Sequence, residues 1–233
     1  MKTHLTAVVA LALVTGCAPT TTSTTNPGAG AHLSAAQQES AADKDAREAA
    51  EHRHRFDPKA TGLKENCTPG GAGARAGLGE CWQSRVNPTE AQLDEAKEHE
   101  RQAAQHRAAS QTLRTAEQRA CTGISEHDRD VSPFAHRSDI LRVTQTPKGA
   151  VVVFRQVPTM TAEGLQKIVD CHLARNDALA HNVPWMLYCP LVPRDVTAKV
   201  TPNPDGLAVT IETPDAEAAK EVKYRVGALI TPH

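Results

Sequence analysis

Aromatic residues are almost missing: the 233 residues hold three Phe, two Tyr and two Trp, 3% together. Rings supply much of the buried area of a large interior. Their scarcity excludes one big aromatic core and leaves part of the chain to solvated helix or linker. An excess of charge of one sign is missing too. Lys and Arg number 26 against 27 Asp and Glu, a formal net charge of -1. No long-range positive field is available to hold phosphates, so no nucleic-acid partner is expected. No apolar run is long enough to span a bilayer as a stable helix. Motifs with recognised catalytic or ligand spacing are also missing: the chain has no CxxC, no HExxH, no CxxCH and no glycine-flanked nucleophile. The run Glu126-His127-Asp128-Arg129-Asp130 reads as a solvated turn rather than an acid/base pair, because two groups in one cleft with separated pKa values are needed for that work. No enzyme is expected.

What is present begins with MKTHLTAVVALALVTGC, a basic end followed by a short apolar stretch from Leu5 to Val14, as in a secretory signal. Val14-Thr15-Gly16-Cys17 resembles the lipobox of bacterial lipoproteins. That resemblance implies removal of residues 1–16, lipidation of Cys17 and attachment to a membrane through several acyl chains, which anchor durably where one does not. Ala18 stands where the family's inner-membrane retention signal carries Asp. The implied destination is the outer membrane, on its periplasmic face.

Residues 17–33, rich in Thr, Pro, Gly and Ala, read as an extended tether. Fully drawn out, it would reach roughly 50 Å at 3.3–3.6 Å per residue. Residues 34–120 read as a helical region in two pieces, a thin hairpin or stalk with Ala as its main apolar residue. Ser34 caps the first piece, and Asn87-Pro88-Thr89-Glu90 opens the second with Asn87 as cap. A glycine-rich loop between Cys67 and Cys81 separates them. Residues 121–137 form a connector, and residues 138–233 an α+β domain. In that domain strand, turn, strand and helix occur twice: Asp139 to Val157 then a helix over 161–181, and Val196 to Ile211 then a helix opened by Thr213-Pro214-Asp215. Two such units predict a four-stranded antiparallel sheet with two helices on one face, in a strand order open to a circularly permuted ferredoxin-like plait. The unit also resembles the BON domain of bacterial envelope proteins, in its turn Gly, alternating strand and following helix.

With Cys17 lipidated, five cysteines remain for an oxidising compartment. Cys67 and Cys81 bracket a loop with nothing else to order it, and closing such a loop contributes roughly 3 kcal/mol. Among the other three, Cys171 with Cys189 would tie the predicted helix to the loop behind it and is the second bridge assigned here; Cys121 with either stays open. A metal site is the competing use of these residues. Cys121, His127, His136 and His172, with Cys171, His181, Met186 and Cys189 nearby in sequence, offer thiolate, imidazole and thioether ligands suited to copper or zinc. His172 also falls on the apolar helix face, where a hydrogen-bonded core histidine fits equally. His52, His54, His99 and His106 read as solvated helix residues with no partner visible in sequence.

The segment Val183-Pro184-Trp185-Met186-Leu187-Tyr188-Cys189-Pro190 concentrates aromatics that the rest of the chain lacks. Trp185, Met186 and Tyr188 would form a rigid anchor for a partner; alternatively Trp185 and Leu187 fold back as a plug. The expected function is a non-catalytic binding or assembly module at the outer membrane, with an envelope protein as partner. The alternative is a periplasmic metal-binding lipoprotein carrying copper or zinc.

Overall fold

A computed structural model describes residues 33–67 and 81–230. Residues 1–32, with the signal, Cys17 and most of the proposed tether, lie outside the described residues, as does the glycine-rich loop 68–80.

The first helix, α1 (Ala35–Arg55), starts at Ser34, whose Oγ accepts from the Gln37 N–H at 3.2 Å while Gln37 Oε1 accepts from the Ser34 N–H at 2.8 Å. Two of the helix's free donors are thereby satisfied. The second long helix, α2 (Glu90–Ala120), begins two residues later than a cap at Asn87 would place it. Asn87 Oδ1 accepts from the Thr89 N–H at 2.8 Å, so Asn87 closes a turn and Thr89 becomes the flanking residue. The two helices pack antiparallel along a seam of small residues seven apart. Ala35, Ala42 and Ala49 meet Ala96, Ala103 and Ser110, and all six are buried. Small side chains let two helix axes come close, and Ser110 Oγ donates to the Ala35 carbonyl at 2.9 Å.

Between these helices the chain forms a hairpin absent from the sequence-based expectation: β1 (Gly62–Cys67) and β2 (Cys81–Val86), paired antiparallel from Gly62↔Val86 to Cys67↔Cys81. The disulfide Cys67–Cys81 joins the strands at the end from which the 68–80 loop leaves, as expected. These strands have no buried face. Their pairing rests on backbone hydrogen bonds and the covalent bridge, which periodicity cannot reveal.

After a short helix, α3 (Glu126–Asp130), the predicted α+β domain follows with β3 (Ile140–Thr146), β4 (Gly149–Arg155), α4 (Ala162–Ala178), β5 (Thr197–Asn203), β6 (Gly206–Glu212) and α5 (Ala216–Ile230). The strands form one antiparallel sheet in the order β3-β4-β6-β5. The second strand of each ββα unit therefore lies inside and the first at an edge. The turn glycines confirm the repeat. Gly149 (φ 155°) packs against the Ile211 carbonyl and Gly206 (φ 145°) against the Phe154 carbonyl, so neither position has room for a Cβ.

Alternation on the inner strands turns Ala150, Val152 and Phe154 together with Leu207, Val209 and Ile211 toward the helices. There they meet Leu165 and Val169 of α4 and Val222, Val226 and Leu229 of α5. Each fully buried aliphatic side chain contributes roughly 1.5–3 kcal/mol. Thr161 caps α4 by accepting from the Gly164 N–H at 3.0 Å, and Asp215 caps α5 by accepting from the Ala218 N–H at 2.7 Å. Among the described residues no helix is long and apolar enough to cross a membrane.

Candidate functional site

The segment after α4 is built as a supported display. Helix α4 ends with Ala180 and His181 in left-handed conformation (φ 53° and 60°), which reverses the chain. Asn176, buried on α4, donates from Nδ2 to the Leu191 carbonyl at 2.9 Å, and His181 donates from Nδ1 to the Val192 carbonyl at 2.7 Å. Arg225 of α5 reaches across and donates from Nη1 to the carbonyls of Met186 (3.0 Å) and Cys189 (3.3 Å). Its own orientation is held by Glu221 at 2.7 Å. Between these clamps Pro184–Met186 forms a single 3-10 turn. A segment tied down at the Met186, Cys189, Leu191 and Val192 carbonyls presents its outward side chains with reduced conformational freedom to lose on binding.

Those outward side chains are apolar. Trp185 is 59% exposed and Leu187 70% exposed. Val183, Met186 and Cys189 point the other way, into the core beside Leu191 and Val192. Tyr188 sits at the margin, and burial pushes its phenol above the ordinary value. The segment is thus plug and display at once. Trp185 and Leu187 do not fold back, and Met186, expected with Trp185 and Tyr188 to form the anchor, is a core residue at 2% exposure. On a 3-10 turn side chains repeat every third residue, so Met186 and Cys189 share the inner side. The flanking prolines do not encode that register.

The cysteines pair differently from the assignment made by sequence. Cys121 is bonded to Cys171, and Cys189 is free and buried. The reason is helical geometry: Cys171 lies on the side of α4 that faces the end of α2, where Cys121 is the C-cap. Cys189 lies in the sheet-side core, its sulfur accepting from Ser132 Oγ at 3.1 Å. Burial raises the Cys189 thiol pKa, which keeps it protonated and inert.

The ligand set Cys121, His127, His136 and His172 is not assembled. Cys121 has no free thiolate. His127 and His136 are exposed on separate segments of the connector. His172 is buried in the position of a core histidine and donates from Nε2 to the Asp128 carbonyl at 2.9 Å. Burial lowers its pKa against the opposing effect of backbone hydrogen bonds to Asp128 and Val131. The acidic run it touches is a capped turn: Ser125 Oγ accepts from the Asp128 N–H at 3.1 Å, and Asp130 pairs with Arg175 at 2.8 Å.

Reasoning from sequence missed a different cluster. In the hairpin, Gln38, Asp45 and His52 of α1 and Gln92, His99 and His106 of α2 alternate with the small residues at three- and four-residue steps, forming a polar second row along the seam. His106 Nδ1 donates to Gln38 Oε1 at 2.6 Å, and His52 Nδ1 faces Glu95 Oε2 at 2.8 Å and Gln92 Oε1 at 3.0 Å. His99 Nδ1 lies 3.3 Å from Glu48 Oε2 and 3.6 Å from Asp45 Oδ1. The seven-residue spacing of His99 and His106 was the available signal, but it has meaning only once the matching spacing of Asp45 and His52 is set against it.

Comparison with protein-family models, curated proteins and solved structures finds no match to this chain.

Proposed function

We propose that this protein is an outer-membrane lipoprotein, facing the periplasm, that acts as a non-catalytic binding or assembly module for an envelope protein. The lipobox-like Val14-Thr15-Gly16-Cys17 supports the anchor. The observation that carries the binding role is the exposed pair Trp185 and Leu187, with Arg225 bonded to the Met186 carbonyl between them and Asn176 and His181 holding the following chain at Leu191 and Val192. Large apolar side chains held outward over polar clamps suit a hot spot better than a core. Both Trp residues of the chain face solvent, and Trp185 is the one that sits beside a backbone carbonyl held by a side chain from another element.

The test is cross-linking in intact cells followed by purification of the full chain in detergent. Wild type is expected to retain a defined envelope protein at near-equal amount. Trp185→Ala with Leu187→Ala is expected to lose it, with Tm moved by no more than about 2 °C, the span of a surface substitution. Recovery of the same protein with the double variant, or a large fall in Tm, would overturn the reading.

A further inference from the structure

We infer that the α1–α2 hairpin binds a divalent transition-metal ion of the zinc type through Asp45, Glu48 and His99. Asp45 and Glu48 lie three residues apart on one face of α1, and His99 comes from the facing surface of α2. Their ligand atoms all fall within 4.8 Å of one another. A tetrahedral zinc with bonds of ~2.0–2.1 Å separates its ligand atoms by about 3.3–3.4 Å. The spacings from His99 Nδ1 to Glu48 Oε2 (3.3 Å) and to Asp45 Oδ1 (3.6 Å) already lie near that edge.

The second observation is an orphaned donor atom. His99 Nδ1 is buried and makes no hydrogen bond, although two carboxylate oxygens stand beside it. At 3.3 and 3.6 Å the two carboxylates are within ion-pair distance but do not complete a hydrogen bond to this atom. A buried polar atom left so is costly, and both oxygens lie on the same side of it as the proposed ion. A cation there would satisfy all three groups. Their neighbours fix the geometry: His52 stacks on the His99 ring with centroids 5.5 Å apart, and His106 Nε2 lies 3.7 Å from Asp45 Oδ2. Such outer contacts orient ligands in metal sites. An imidazole among the donors favours zinc-type ions over magnesium or calcium. Three protein ligands leave a fourth position for water, on the side where Glu48 remains 37% exposed. Among the described residues a second group of ligand types, Glu65 with Cys67 and Cys81, has both sulfurs joined in a disulfide and offers no thiolate.

This site is independent of the partner surface at Trp185, so either reading can fail alone. The test uses the full chain purified in detergent, stripped with chelator and titrated with zinc sulfate by calorimetry at pH 7.5. The expected result is one equivalent of zinc that excess magnesium does not displace. His99→Gln and Glu48→Gln are each expected to weaken it by about tenfold or more, with helical circular dichroism unchanged. His127→Gln with His136→Gln is expected to leave it unaltered. Saturating zinc should raise the wild-type Tm by roughly 5 °C and leave that of His99→Gln where it was. Less than a tenth of an equivalent bound, or wild-type affinity in Glu48→Gln with its helices intact, overturns the inference. Pairing of His99 with its carboxylates through a proton alone would give that outcome.

Discussion

His172 shows how one side chain is decided by its surroundings. On sequence it was both a metal ligand and a core residue; the structure buries it at 1% exposure under the Asp128 carbonyl. Burial favours the neutral ring and lowers its pKa. In the unfolded chain the same ring takes up a proton as pH falls through about 6.5. Above that pH both states are neutral and His172 makes no contribution to pH dependence. Below it the unfolded chain binds the extra proton first, so stability drops as pH falls, until the folded state titrates as well. We expect Tm measured between pH 7 and pH 5 to fall less steeply in His172→Gln than in wild type. Gln is chosen because its amide still offers a donor to the carbonyl. An equal slope in the two proteins would show that His172 is not the titrating group.

Between elements, the bridge Cys121–Cys171 matters most, because it joins the end of the helical hairpin to α4 of the sheet domain. Arg175 reinforces it by reaching Glu117 of α2 at 3.1 Å and Asp130 at 2.8 Å. The bridge closes 50 residues of chain, which on loop entropy is worth about 4 kcal/mol. Replacing both cysteines by Ser should lower Tm by roughly 10 °C, as followed by calorimetry, whereas Cys189→Ser should cost far less. At this scale the sequence was readable wherever burial wrote a period. The alternating strands around Val153 and Val209, the helix faces with Val169 and Val226, and the turns at Gly149 and Gly206 mark the ββα units without help from coordinates, although the strand residue level with Val209 is Val152. It was unreadable where small or polar residues carry the contact. The buried Ala42 and Ala96 give almost no hydrophobic signal, and Leu63 and Trp82 on β1 and β2 face solvent. Cysteine partners were settled by which side of α4 each element covers, a fact of packing that no spacing encodes. The Asp45–Glu48–His99 cluster was hidden for the same reason: its members lie on two helices whose register is set by alanines.

For the molecule as a whole, the proposed anchor and the proposed binding surface make separable demands. Lipidation at Cys17 would hold the chain at a membrane while leaving the Trp185 turn, which is built from α4, α5 and the core between them, unaltered. An anchor of this kind acts by raising local concentration rather than by adding contacts. Cys17→Ser should therefore move the protein from the membrane pellet to the soluble periplasmic fraction, because several acyl chains are lost together. In a detergent extract, where local concentration no longer counts, the same variant should still bind the envelope partner with wild-type affinity. Trp185→Ala with Leu187→Ala should do the reverse, staying in the pellet and losing the partner. Fractionation with immunoblotting, followed by binding in the extract, measures both. If Cys17→Ser remained in the pellet after a high-salt wash, attachment would have to come from something other than the lipid, and the lipobox reading would fall while the surface at Trp185 stood.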